Sequence, residues 1–522
     1  MQIPDLHGLL RKHWGYSEFR PKQEDIVRAI LDGRDTAVVM PTGGGKSLCY
    51  QLPAAALGRT CVVVSPLIAL MQDQAAALRE MGIEAAFLNS TQDGAALREA
   101  RRRAEHGELR LLYLSPERIV REDMLEWLGR LPLGFFAIDE AHCISEWGHE
   151  FRPEYRQLRT LRERFPDAPI AAFTASATRQ VRHDILAQLN LRNPAKFVMS
   201  FRRPNLRYIL RETKADEQER LLTAALEYYD EGNVIVYAPT IKAVEATAAW
   251  LSSQGHAAVP YHGQMSPALR QQNQEQWMAG EKRVLVGTIA FGLGINKPDV
   301  RAVIHLSLPK SVEQYYQEAG RAGRDGEPAD CVMLWQKRDI GLLTYFIEQV
   351  QDPAERERAW RRYHIIRKFV EDPRCRHRQI CLHFGETPKW ERCDACDVCG
   401  TELEWLHLRR SARATTRKSK IAVAAVASGG TAQARPEAPV ESVVRERLRQ
   451  WRRETAAEHQ VPAFVILHDS TLDALCRRAP RTPAELLEVP GIGERKAERF
   501  GQQILALLRG EAAAHVHAKS GA

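Results

Sequence analysis

Lys46 and Ser47 end the run Met40-Pro41-Thr42-Gly43-Gly44-Gly45-Lys46-Ser47, which follows the apolar stretch Thr36-Ala37-Val38-Val39. A strand, a glycine-rich turn and a helix start make a cradle for phosphate. Glycines let backbone N–H groups approach the oxygens, and the helix N-terminus adds its positive end. In such a cradle Lys46 reaches terminal phosphates and the Ser47 hydroxyl ligates Mg²⁺. Met40 stands where the fuller form of this pattern carries its first glycine.

Asp139-Glu140-Ala141-His142 comes directly after the apolar run Phe135-Phe136-Ala137-Ile138. A carboxylate at the C-terminal end of a strand beside a phosphate loop can hold Mg²⁺, and the next one can polarise an attacking water. This assigns Asp139 to the metal and Glu140 to the base. Further along, Gln317-Glu318-Ala319-Gly320-Arg321-Ala322-Gly323-Arg324 sets two arginines three residues apart on a glycine-bounded turn. Arginines so placed can cross a cleft and neutralise charge developing on a γ-phosphate. Five of the ten cysteines fall between Cys375 and Cys399. Cys375, Cys393, Cys396 and Cys399 have the spacing of a structural zinc site.

These groups need a scaffold. The runs Thr36–Met40, Cys61–Val64, Leu111–Leu114, Phe135–Ile138 and Ile170–Phe173 alternate with helical patterns, and so do Val234–Tyr237, Val284–Val286, Ala302–Leu306 and Cys331–Leu334. Continuous apolar strands separated by helices predict parallel sheets covered on both faces. At 522 residues the chain is too long for one ordinary core. The pattern predicts α/β domains over 1–200 and 201–342, a helical module over 343–400, a basic flexible linker over 401–440, a compact helical domain over 441–512 and a tail over 513–522. Near the end, Ser470 or Thr471 reads as one helix cap and Thr482-Pro483 as another.

The formal net charge of +8 fits a polyanionic partner. No run of eighteen apolar residues and no signal peptide is visible, so the expectation is a soluble, cytoplasmic protein without a membrane partner. The sparse cysteines exclude a disulfide scaffold.

Taken in order, these motifs resemble the RecQ DNA helicases of superfamily 2, of bacterial type with a DEAH box. The resemblance runs from about Trp14 to Cys399 and resumes near the C-terminus. It implies two RecA-like parallel-sheet domains in tandem, then the helical zinc-binding module, the linker and a small all-α domain similar to the helicase-and-RNase-D C-terminal (HRDC) domain. The segment Trp14-Gly15-Tyr16-Ser17-Glu18-Phe19-Arg20-Pro21-Lys22-Gln23 is similar to the family's adenine-reading motif. There Gln23 would read the base edge, Tyr16 would stack and Arg20 would support, with Gln317 also at the nucleotide. The segment Cys143 to Tyr155, after the DEAH box ending at His142, is similar to its aromatic-rich loop, which implies that His142, Trp147, His149, Phe151 and Arg152 couple DNA to hydrolysis. Asn89-Ser90-Thr91 and the segment ending in Asn296-Lys297 match regions that meet the DNA backbone or the interdomain joint.

The resemblance implies ATP, Mg²⁺ and Zn²⁺ as cofactors and single-stranded and branched DNA as partners. It also points to single-strand-binding protein and other repair proteins. The implied activity is ATP-dependent 3′ to 5′ unwinding in repair and recombination. One departure bears on that. Residues 401–440 stand where the full family architecture has a winged helix that splits duplexes. A single-strand-stimulated ATPase, a translocase or an annealing scaffold with weak unwinding is the alternative reading.

Overall fold

The computed structural model describes residues 5–89, 92–230, 232–289, 291, 297–407, 439–459 and 463–510. Most of the predicted linker, 401–440, and the tail, 513–522, lie outside them. Seven strands form the first sheet: β1 (Thr36–Val39), β2 (Thr60–Val64), β3 (Ala85–Leu88), β4 (Leu111–Leu114), β5 (Leu133–Ile138), β6 (Ile170–Thr174) and β7 (Ala195–Val198). Their order is β3-β4-β2-β5-β6-β1-β7, and every pairing is parallel. The second sheet holds β8 (Leu206–Glu212), β9 (Asn233–Tyr237), β10 (Ala258–Tyr261), β11 (Val284–Gly287), β12 (Val300–His305) and β13 (Ala329–Trp335). It is also wholly parallel, in the order β10-β11-β9-β12-β13-β8.

The central strands β2, β4, β6, β9 and β13 are buried along their whole length, as their unbroken apolar runs require. Parallel strands place all their C-terminal ends on one edge, where ligands of open α/β sheets bind. The glycine loop follows β1, Asp139 follows β5 and Ser176 lies just past β6, so three distant segments reach one edge. At the opposite edge the Asp35 carboxylate accepts from both Arg162 contacts at 2.7 and 2.6 Å and from the backbone N–H groups of Ile170 (2.9 Å) and Arg192 (2.6 Å). This buried pair anchors β1 and with it the glycine loop. Asp35→Ala strands the Arg162 charge and is expected to cost about 3–5 kcal/mol, read as a lower thermal unfolding midpoint.

The segment Ser200–Asn205 joins β7 to β8 and is the only covalent link between the two sheets along this stretch of chain. Helices Pro353–Glu371 and Arg376–His383 carry the cysteine-rich loop, which attaches to β8 where Tyr208 N–H donates to Ala395 O at 3.1 Å. The C-terminal helices Pro439–Glu458, Asp469–Arg478 and Glu494–Leu508 enclose their own core around Leu448, Trp451, Leu475, Phe500 and Ile504. Thr482 caps as expected, accepting from Glu485 N–H at 3.2 Å with Pro483 behind it. Ser470 and Thr471 lie inside their helix, which starts at Asp469 with His468 at the cap, two residues before the first expected cap. Among the described residues no helix is long and apolar enough to cross a membrane.

Candidate active site

The glycine loop is shaped by backbone that only glycine adopts cheaply. Gly43 and Gly45 both have φ of 84°, and Gly45 caps the helix Lys46–Leu57. Lys46 at the first turn donates from Nζ to Met40 O at 3.2 Å, and Ser47 follows it on the same turn. Burial of the ammonium lowers the Lys46 pKa, while the charges of Glu140 and Asp139 oppose the shift. Met40 is fully buried, so its side chain closes the floor of the loop in place of a glycine. Gln23 reaches the same loop. Its Nε2 donates to Gly44 O at 3.2 Å and Gly45 O at 3.4 Å, and its Oε1 accepts from Arg20 N–H at 2.8 Å. The Arg20 guanidinium donates to Gly43 O, and Tyr16 stands exposed nearby in sequence. The structure therefore gathers Gln23 and Arg20 onto the phosphate loop itself.

Asp139 lies buried just past β5, and its N–H continues the sheet by donating to Val64 O at 2.9 Å. Burial, reinforced by the Glu140 charge, pushes its carboxyl up to about 7. Glu140 behaves oppositely. Burial pushes it up, but the hydrogen bond and charge of His142, together with Lys46, outweigh that and hold it at about 2. The Glu140 carboxylate thus stays ionised beside a carboxyl that burial holds near neutrality. Glu140 also carries a left-handed backbone with φ of 47°, strain of a kind that gathers at working sites. His142 has Nδ1 3.2 Å from Glu140 Oε2 and 2.9 Å from Thr174 Oγ1, and its ring stacks on His149 with centroids 4.9 Å apart.

The second sheet supplies the other wall. The helix Val312–Ala319 ends at Gly320, and Gln317 Nε2 donates across the cleft to Ser176 Oγ at 2.9 Å. A Cβ added to Gly43 would meet Arg324 Cγ at 3.5 Å, so the arginine turn stands directly against the phosphate loop. Arg321 is buried, with Nε and Nη1 lacking hydrogen-bond partners. Burial and the neighbouring charges of Arg321 and Arg203 bring Arg324 down to about 9. Guanidiniums facing the glycine loop, Arg321 buried and Arg324 half-buried, make a candidate anion site. Sequence reasoning missed what holds this turn. Arg203 donates to Gly320 O (2.7 Å), Ala322 O (3.0 Å) and Gly323 O (2.7 Å), and Asn205 donates to Gly323 O (2.8 Å). The available signal was a pair of arginines, Arg202 and Arg203, at the junction of the two α/β segments.

The aromatic loop leaves His142 at once. Trp147 is 43% exposed, with the Arg361 guanidinium 5.8 Å from its ring centre. Phe151 is half-buried under Arg156, and Arg152 reaches Pro66 O at 3.4 Å. Glu146 pairs with Arg156 at 2.8 Å and Arg358 at 3.5 Å, which braces the loop against the helix Pro353–Glu371. Asn89 is buried, and its carbonyl accepts from Arg118 at 2.9 Å. Ser90 and Asn296 lie outside the described residues. Lys297 is not brought to this groove. Its buried Nζ donates to Met278 O and to Asp469 Oδ2, both at 3.1 Å, so it is held against the C-terminal domain.

Cys375, Cys393, Cys396 and Cys399 are buried, with sulfur atoms all within 4.8 Å of one another. A tetrahedral zinc with Zn–S of about 2.3 Å sets its sulfurs roughly 3.8 Å apart, so the four thiols fit that ion. Zinc bound there would crosslink the helix start at Cys375 to the loop on β8. Cys381 lies outside the cluster, packed in the apolar core. Removing the metal, or Cys396→Ser, is expected to forfeit local folding energy on the order of 10 kcal/mol. Limited proteolysis with a zinc assay reads this as cleavage within 343–400 that tracks metal loss.

Four family profiles match in sequence order: DEAD/DEAH box helicase over residues 20–184, helicase conserved C-terminal domain over 214–326, RecQ zinc-binding over 337–400 and HRDC domain over 441–508. The chain is 33% identical to the ATP-dependent DNA helicase RecQ of Haemophilus influenzae, across 98% of this chain and 96% of that one. It is 33% identical to its Bacillus subtilis namesake, across 95% and 97%. The first alignment spans 602 positions against 522 residues here, so that relative carries segments without a counterpart in this chain. Among solved structures, the DUF1998 helicase MrfA bound to DNA shares the fold with a TM-score of 0.55 at 18% identity, over 66% of this chain and 53% of that one. The chain spans about half of that protein. With matching profiles from the phosphate loop to the last helices and near full-length relatives, the chain belongs to the RecQ family of ATP-dependent DNA helicases.

Proposed function

We propose that this chain is a DNA-dependent ATPase that moves 3′ to 5′ on single-stranded DNA and unwinds duplex or branched DNA in repair and recombination, in the cytoplasm. The observation that carries it is the close approach of Arg324 in one sheet domain to Gly43 in the other, where an added Cβ would meet its Cγ at 3.5 Å. A triphosphate held by Gly43, Gly44, Gly45 and Lys46 would have the two guanidiniums on its far side only when the cleft is closed. Ser47 and Asp139 would hold Mg²⁺, which would offset phosphate charge when bound. Glu140, kept ionised by His142, orients the attacking water. Arg321 and Arg324 stabilise charge on the departing phosphoryl group. Gln317, tied to Ser176, closes the joint. Gln23 and Arg20 link base recognition, with Tyr16, to the loop carbonyls.

Coupling to DNA runs through the chain that leaves Glu140. A base stacked on Trp147 would shift the loop that carries His142 and His149, with Phe151 and Arg152 following. Trp147→Ala is expected to lose about 1–3 kcal/mol of stacking, or roughly 5- to 150-fold in single-strand affinity. Fluorescence anisotropy with a labelled oligonucleotide measures it. Asn89, Ser90 and Asn296 are assigned to backbone contacts. Lys297 joins them if the C-terminal domain withdraws. In this reading 1–200 and 201–342 are motor domains, 343–400 a zinc module, 401–440 a tether, 441–512 an accessory binder for DNA or repair proteins and 513–522 a tail.

A Mg²⁺-ATP assay on duplexes with a 3′ or a 5′ single-stranded tail tests the direction. Separation of the 3′-tailed duplex supports the proposal, and separation of the 5′-tailed duplex alone refutes it. The short spacing between the zinc-binding match and the HRDC match favours a second reading, an ATPase that translocates or anneals with weak unwinding. Single-strand-stimulated hydrolysis without strand separation would select it. Annealing that survives Lys46→Ala would mark a scaffold.

A further inference from the structure

We propose that Arg203 is a positioning residue for ATP hydrolysis, holding the turn of Arg321 and Arg324 and tying it to the cysteine-rich module through His377. The inference rests on the reading of Arg321 and Arg324 as the phosphate-facing pair.

Arg203 belongs to the strap Ser200–Asn205 that joins the two sheets. On one side its guanidinium donates to the carbonyls of Gly320, Ala322 and Gly323, which bracket Arg321 and precede Arg324. Asn205 extends the grip to Glu327 O at 2.9 Å. A planar guanidinium with five donors suits inward-turned carbonyls as a lysine does not. The position has an electrostatic cost, since a third cation stands beside two others and depresses Arg324 further. A side chain needed only to fill space would not require that charge; the three carbonyls do.

On its other side the strap is clamped by the cysteine module. The His377 ring has Nδ1 3.2 Å from Cys393 Sγ and Nε2 3.2 Å from Arg203 O, and its ring meets Tyr208 edge-on at 4.8 Å. Ser200 Oγ and Phe201 N–H donate to Glu386 at 2.7 and 2.8 Å, and Phe201 stacks on Phe384 at 4.4 Å. Arg202 lies over Trp390 at 4.7 Å. The segment that must bend when the cleft closes is therefore gripped by the cysteine module and itself grips the arginine turn. Closure and turn placement move together.

The test uses the full chain with saturating single-stranded DNA and compares Arg203→Ala, Arg203→Lys, Arg321→Ala, Arg324→Ala and the double variant Arg203→Ala/Arg321→Ala. Steady-state ATP hydrolysis, binding of a fluorescent ATP analogue, zinc content and thermal melting are measured for each. A turn displaced by about 1 Å can lose ~10²-fold in rate. The expected result is a kcat for Arg203→Ala down by roughly 10- to 100-fold with analogue binding and zinc content retained, Arg203→Lys in between, and a double variant no slower than Arg321→Ala. His377→Ala with zinc retained shows a smaller loss of the same kind. Wild-type kcat in Arg203→Ala while Arg321→Ala is slow overturns the inference, as does a double variant whose loss is the product of the two. Wild-type kcat in both Arg321→Ala and Arg324→Ala overturns the underlying reading instead, and this inference with it. Should Arg203→Ala melt early or lose zinc, Asn205→Ala decides: a fall in kcat with binding retained supports the role, and wild-type kcat rejects it.

Discussion

Arg321→Ala and Arg324→Ala are each expected to lower kcat for DNA-stimulated ATP hydrolysis by roughly 10³-fold or more while ATP still binds. Arg321 is buried and Arg324 half-buried at the cleft wall, where charge stabilisation is stronger than in open water. Arg321 keeps two N–H groups without protein partners, and Arg324 is pressed down to about 9 by burial and like charges. That arrangement is strained until negative charge arrives between the walls, and most charge arrives in the transition state. With Lys46 and the loop N–H groups proposed to hold the ground-state phosphates, binding should survive. Steady-state kinetics paired with analogue binding separates the two effects. A raised KM with unchanged kcat would place these arginines in ordinary binding.

Glu140→Gln is the second large effect, an expected fall of ~10² to 10⁴ in kcat. The amide keeps the size of the side chain but loses the charge that His142 and Lys46 stabilise. A water at that position would no longer be polarised. Because the neighbouring carboxyl of Asp139 is raised mainly by burial and next by Glu140, the substitution also relieves Asp139 and should leave Mg²⁺-ATP binding intact or tighter. Tight single-strand binding in the presence of ATP without turnover is the signature to look for. Hydrolysis near the wild-type rate would move the base elsewhere.

Much of the scaffold was readable because interior strands of parallel sheets are continuous apolar runs. The nine runs read as strands all lie on strands of the two sheets. The strands that were not read, β3, β7, β8 and β10, are the four sheet edges, where exposed residues such as Lys196 in β7 break the run. The phosphate loop, Asp139-Glu140 and the arginine turn were visible because each is a contiguous motif at the end of an element. Arg203 was not, since it acts through backbone carbonyls more than a hundred positions away, which leave no side-chain pattern. Lys297 shows the opposite limit. Its motif points to a nucleic-acid backbone, yet in this structure a distant carboxylate, Asp469, pairs with it. Gln23 lies between: its place beside the loop was legible, but not that its Nε2 bonds the loop while its Oε1 accepts from Arg20 N–H.

The central claim is that one site, built from two domains, hydrolyses ATP under the control of a DNA strand. Steady-state ATP hydrolysis with Mg²⁺, measured with and without single-stranded DNA for the wild-type chain and Lys46→Ala, tests it most directly. The account predicts hydrolysis that rises severalfold when DNA is added and disappears in Lys46→Ala. Hydrolysis indifferent to DNA, or undiminished without Lys46, would contradict it.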